Sequence, residues 1–84
     1  MVTVRLFGMT KSLAGTQASL SFALMDGQRV KDLVELVDKA YPLIGELIQK
    51  RKVLVSVNHE IAQDETQIHE SDEIALLPPF AGGR

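Results

Sequence analysis

The segment Val30-Lys31-Asp32-Leu33-Val34-Glu35-Leu36-Val37-Asp38-Lys39-Ala40-Tyr41 decides the fold. Its apolar residues Val30, Leu33, Val34, Val37, Ala40 and Tyr41 recur at intervals of three and four, which places them along one face of a helix. Asp32 and Glu35 come early and Lys39 late, the order a helix dipole favours. Arg29 occupies the N-cap position and is a poor cap, while Asp26 stands too far upstream, so the helix is expected to begin without a strong cap. Pro42 ends it, because a proline pushes the preceding residue out of the helical region. Leu43 to Ile48 offers a short further helical piece.

The period changes on both sides of this helix. Val2-Thr3-Val4-Arg5-Leu6-Phe7 alternates, with Val2, Val4 and Leu6 expected inward and Thr3, Arg5 and Phe7 on the other face. Phe7 is therefore apolar where its face-mates are polar. Gly8 to Gly15 reads as a connection with one helical turn at Lys11-Ser12-Leu13-Ala14. Ser19 to Leu24 alternates again, with Leu20, Phe22 and Leu24 inward, and completes an N-terminal hairpin. Asp26-Gly27 breaks it. Beyond the helix, Val53 to Val57 is strongly β, Asn58-His59 suits a two-residue turn, and Glu60-Ile61-Ala62 returns as a short strand. Gln63 to Asp72 is polar and reads as loop. Glu73-Ile74-Ala75-Leu76-Leu77 is the last strand. Strands in runs around a single main helix predict an α+β roll.

Composition narrows the function. Eighty-four residues make one small domain with a modest core. The net charge is −2 and the basic residues are scattered, so the stripe expected of a nucleic-acid binder is missing and no nucleic-acid partner is expected. No window is long and apolar enough for a membrane span, and the first residues lack a signal-peptide layout, so no membrane partner is expected and the cytoplasm is the expected compartment. Cysteine is absent, which removes disulfides and thiolate chemistry. His59 and His69 have no cysteine company and read as loop histidines rather than metal ligands. Glu70, Asp72 and Glu73 read as a solvated turn, since they form no calcium-loop pattern. Lys50-Arg51-Lys52 reads as a soluble helix end with some potential to dock a partner. There is no nucleophile elbow and no glycine-rich phosphate loop, so the chain is expected not to be an enzyme.

The C-terminal stretch Leu76-Leu77-Pro78-Pro79-Phe80-Ala81-Gly82-Gly83-Arg84 is the most informative for function. The prolines forbid continuation of the strand, having no N–H for the ladder. The glycines lack Cβ and can thread a channel too narrow for side chains. A stiff arm, an apolar anchor and a slim tip result. This end resembles that of the MoaD/ThiS family of ubiquitin-like sulfur carrier proteins, whose tails finish in Gly-Gly, and the Leu-Pro-Pro lead-in looks most like the MoaD branch. Ser56-Val57-Asn58 and Asp72 to Leu77 also fit that family. The resemblance covers almost the whole chain. It implies a ubiquitin-like β-grasp roll, a mixed sheet of four to five strands on one main helix, spanning residues 1–79, with 80–84 as a tail. It also implies that the first and last strands are parallel neighbours at the sheet centre.

In such carriers the chain itself is the substrate. The resemblance implies adenylation of the terminal glycine by an E1-like, ATP-using adenylyltransferase of the MoeB/ThiF type. A sulfur donor protein then converts it to a thiocarboxylate, consistent with a carrier that has no cysteine for a persulfide. No cofactor is expected on the chain itself. Carried across, Gly83 would bear the reactive carbonyl, Gly82 would give clearance, and Phe80 and Ala81 would line the entry. Pro78 and Pro79 form the arm. With parallel first and last strands, Phe7 and Leu77 meet near the tail exit in an exposed apolar patch with Ile61, the expected grip for partners. In the MoaD branch the acceptor is a pterin precursor on the large molybdopterin synthase subunit (MoaE type); thiamin or another thiocarboxylate pathway is the alternative. Arg84 departs from the pattern, since Gly83 carries an amide while it remains; the alternatives are removal of Arg84 by a peptidase, an arginine foreign to the natural chain, or a member that has lost carrier chemistry. A ubiquitin-like modifier or plain binding module is the reading from another class.

Overall fold

The computed structural model describes residues 1–78. Alternation in the first residues becomes strand β1 (Val2–Leu6), with Val2, Val4 and Leu6 buried and Thr3 and Arg5 exposed. A short helix α1 (Met9–Leu13) follows, and β2 (Ser19–Phe22) returns antiparallel to β1, with Val4 opposite Leu20. Helix α2 (Val30–Ala40) and helix α3 (Pro42–Gln49) come next. Strands β3 (Leu54–Val57), β4 (Glu60–Ile61) and β5 (Ile74–Leu77) complete the sheet. Its order is β2-β1-β5-β3-β4. Strand β5 lies parallel to β1 and antiparallel to β3, so the first and last strands are the central neighbours the β-grasp resemblance implies. The fold is α+β with a mixed five-stranded sheet.

The helical stripe lies among the core-facing side chains of the sheet. Val30, Leu33 and Val37 are buried together with Val2, Val4, Leu6, Val55, Ile74 and Leu76 in one cluster. Val34 and Tyr41 are partly buried against it, whereas Ala40, expected in the stripe, is exposed. Leu33→Ala and Val37→Ala should each cost roughly 1–4 kcal/mol, because each deletes methyl groups from fully enclosed sites. A urea midpoint close to that of the parent would mean the stripe does not carry the core.

The weak start of α2 is remedied by the polar segment after β4. Val30 N–H donates to the Thr66 carbonyl at 2.9 Å and Lys31 N–H to the Asp64 carbonyl at 3.1 Å, satisfying two of the amides a helix start leaves open. The Asp32 carboxylate accepts the Arg29 N–H at 2.9 Å. The same segment is pinned by Gly27 N–H donating to Ile68 and Ile68 N–H donating to Gln28. Ile68 is wholly buried, so Gln63 to Asp72 is a structural strap with a core anchor rather than a polar loop alone. Asn58 and His59, at φ 53° and 70°, make the tight β3–β4 turn expected of their types. The helical turn expected at Lys11–Ala14 begins two residues earlier, at Met9. No helix among the described residues is long and apolar enough to cross a membrane. The expected boundary between domain and tail at 79/80 lies outside the described residues.

Candidate partner-docking site

The sheet face away from the core carries the candidate site. Register places Arg5 opposite Ala75, Ala75 opposite Ser56, and Ser56 opposite Ile61. These four residues form one row across β1, β5, β3 and β4. Two residues further along each strand, Leu77 lies opposite Leu54, and the parallel pairing of Leu6 with Leu76 brings Phe7 beside Leu77. Side chains alternate across a strand, so both rows share the face on which Phe7 and Leu77 were expected.

Phe7 is 40% exposed and Ile61 58%, so no loop among the described residues closes over the two apolar side chains. Leu77 is half-buried and Pro78 exposed. Phe7 is held in place by Thr10, a residue the sequence reading passed over. The Thr10 hydroxyl accepts the Phe7 N–H at 3.2 Å and donates to the Phe7 carbonyl at 2.8 Å. That exchange ends β1 and starts α1. Gly8 makes the change of direction at φ 59° and ψ −127°, a conformation closed to residues with a side chain.

A cleft of about 210 Å³ opens between the rows. Ala75 and Ser56 belong to its floor, Phe7 and Leu77 to one end, and His59 and Glu73 to the other. The floor is low because Ala75 has no side chain beyond Cβ and Ser56 is buried. His59 Nε2 lies 3.1 Å from Glu73 Oε1. This rim is fixed by the backbone: Asn58 N–H donates to the Glu73 carbonyl at 2.7 Å, and Glu73 N–H donates to Asn58 Oδ1 at 3.0 Å. Beside them, the His69 backbone N–H, and secondarily the Asn58 amide, hold the Asp72 carboxyl below its usual value. A separate groove of about 340 Å³ between α2, α3 and β3 contains none of the expected site residues.

Of the residues singled out in the sequence, Phe7 and Leu77 are adjacent. Ile61 lies one row away on the edge strand, so it flanks the patch across Ser56 rather than touching its apolar centre. Pro79, Phe80, Ala81, Gly82 and Gly83 lie outside the described residues. His59 and His69 belong to different pairs, the second with Asp26 at 3.3 Å. Among the described residues no three potential metal-ligating side chains converge. Strand parity, which placed Phe7, also placed Arg5 on this face; the shallow floor needed the cross-strand register as well.

The sequence profile of the ThiS family matches residues 4–83. The molybdopterin synthase sulfur carrier subunit of Chlamydomonas reinhardtii is 26% identical over 82 residues, covering 98% of each chain. The protein of that name from Mycobacterium tuberculosis is 29% identical over 82 residues, 98% of this chain and 96% of that one. Among solved structures, the putative molybdopterin converting factor subunit 1 of Pyrococcus furiosus superposes with a TM-score of 0.80. It is 25% identical over 94% of this chain and 97% of that one.

Proposed function

The chain belongs to the ThiS family, and from that membership we propose that it is a sulfur carrier of the MoaD type, a protein co-substrate serving molybdopterin synthesis. The observation that carries the reading is a family match running through Gly82 and Gly83, joined to full-length relatives named as molybdopterin synthase sulfur carrier subunits. The match ends at Gly83, one residue before Arg84.

The chemistry follows from the terminal group. A carboxylate is a poor electrophile because its leaving group would be oxide. An oxygen of the Gly83 carboxylate attacks the α-phosphorus of ATP on an adenylating partner, and pyrophosphate leaves. The acyl-adenylate then meets a persulfide on a sulfur donor protein. The terminal sulfur attacks the carbonyl and AMP departs. A second thiol cleaves the resulting sulfur–sulfur bond, the donor being oxidised to a disulfide, and Gly83 is left as a thiocarboxylate. That soft nucleophile passes sulfur to the acceptor, a pterin precursor held by a large synthase subunit. Nothing in this scheme asks the chain for an acid, base or metal of its own, only for a slim tip and a surface that seats it.

Intact-mass analysis of the protein from its own host tests the proposal. The expected species ends at Gly83 and is heavier than the plain carboxylate form by the difference between sulfur and oxygen. Conjugates through Gly83 to lysines of other proteins, with no sulfur-bearing form, would instead identify a modifier.

The same reading makes the Phe7–Leu77 surface the grip for partners. Phe7→Asp or Leu77→Asp should weaken binding to the adenylating enzyme by tenfold or more, because a charge is placed into an apolar contact. The fold should survive, both side chains lying on the face away from the core. Unchanged affinity in a calorimetric titration, with native circular dichroism, would reject the patch.

A further inference from the structure

Arg5 stands where an apolar docking surface has no need of a charge. It is exposed in the row that contains Ala75, Ser56 and Ile61, and its guanidinium carbon lies 5.7 Å from the centroid of the Phe7 ring. That separation allows a cation–π contact, which orients the guanidinium over the apolar centre of the patch. Arg5 forms no ion pair among the described residues. Lys11, also exposed, lines the adjoining hollow with Arg5 and Phe7. Across the cleft, the far rim holds the Glu73 carboxylate, with His59 Nε2 3.1 Å from it. The face therefore carries a cation on the β1 side and the Glu73 carboxylate, beside His59, at the start of β5, around a socket floored by Ala75 and Ser56.

We infer that Arg5 is a specificity-determining residue of the carrier, selecting an adenylating partner whose surface offers an apolar side chain to the socket and a carboxylate to the guanidinium. The inference rests on the sulfur-carrier reading and names the partner chemistry of that same site. An apolar contact alone has no directional preference and would accept many greasy surfaces. A fixed cation beside it rejects those that present a bare or basic rim. Because Phe7 is braced by Thr10 and Arg5 lies over Phe7, the charge is held at a defined place relative to the socket. Polarity across the cleft also fixes which way round the partner docks.

Pyrophosphate exchange by the Gly83-ended protein with the adenylating enzyme of the same host provides the test. Arg5→Glu should raise KM for the carrier about tenfold or more with kcat little changed, and Arg5→Gln should fall between it and the parent. The parent's KM should climb steeply with added salt, and Arg5→Gln should flatten that slope. Lys39→Glu, at an exposed position of α2, which changes net charge by the same amount as Arg5→Glu, should leave KM within about twofold. Circular dichroism should be unaltered in all variants, and the thermal midpoint in the Arg5 variants. Equal KM values for parent and Arg5→Glu, or an equal rise in Lys39→Glu, would overturn the inference while leaving the carrier reading intact. No exchange by the parent would overturn the carrier reading and this inference with it.

Discussion

A form of the chain ending at Gly83 should support ATP-dependent pyrophosphate exchange on the adenylating enzyme of its host, and the form ending at Arg84 should show none above background. The difference is covalent. Adenylation needs a free carboxylate, and with Arg84 in place Gly83 offers an amide whose carbonyl oxygen is too weak a nucleophile toward phosphorus. The remaining carboxylate, on Arg84, is attached to a residue with a long charged side chain. An adenylating channel that admits a terminal glycine would have no room for it, and burying the guanidinium without a partner is costly. Gly83→Ala in the shortened form should slow exchange by placing a methyl group in that channel, without moving the thermal midpoint. Comparable exchange by the two lengths would refute the need for processing. Failure of both with a competent enzyme would count against the carrier reading itself.

Much of this arrangement was legible from local patterns. Alternation in Val2–Leu6 fixed which residues are buried, and the three-and-four spacing of Val30, Leu33 and Val37 fixed the helix face that meets them. Period alone separates strand from helix when a core lies on one side. Parity along β1 and β5 then placed Phe7 and Leu77 on one face, although their adjacency needed the parallel pairing that only the family resemblance supplied.

What escaped was carried by contacts between segments remote in sequence. Two N-terminal amides of α2 are satisfied by carbonyls of Asp64 and Thr66, more than thirty positions downstream, so no N-cap side chain marks the helix start. Ile68 sits alone among polar residues and shows no period, yet it is fully buried because the strap folds back against Gly27 and Gln28. Thr10 looked like an ordinary connector residue, and its grip on both polar groups of the Phe7 backbone depends on where α1 begins. Ile61 was expected in the patch with Phe7 and Leu77, and the register places it beyond Ser56 at the sheet edge. Sequence pattern reports which way a side chain points; it does not report what arrives from elsewhere to meet it.

Gly45→Ala should destabilise the protein by about 2–3 kcal/mol, and Gly45→Val by more, against the usual rule that alanine in a helix gains on glycine by about 1 kcal/mol. Gly45 is buried within α3. A Cβ added there would stand 2.6 Å from Asp38 Cβ and 2.7 Å from Asp38 Cα, and would collide with Asp38 Oδ1 as well. A flexible side-chain tip could swing away, but the Cα belongs to the backbone of α2, so relief requires the two helices to part. They have little slack. Tyr41 alone lies between α2 and α3. Tyr41 N–H donates to Val37 at 2.7 Å, and its carbonyl accepts the N–H groups of Ile44 and Gly45 at 3.0 Å each. Ile44 and Val37, next in sequence to the colliding residues, are both fully buried, so separation would open the core between the helices and the sheet. At roughly 4–8 °C per kcal/mol for a domain of this size, the thermal midpoint should drop by about 10 °C or more in the alanine variant. The docking face should remain native at temperatures where the variant is folded, since neither helix contributes to it. A midpoint at or above that of the parent for Gly45→Ala would show that α2 and α3 can move apart freely and that the glycine does not set their approach.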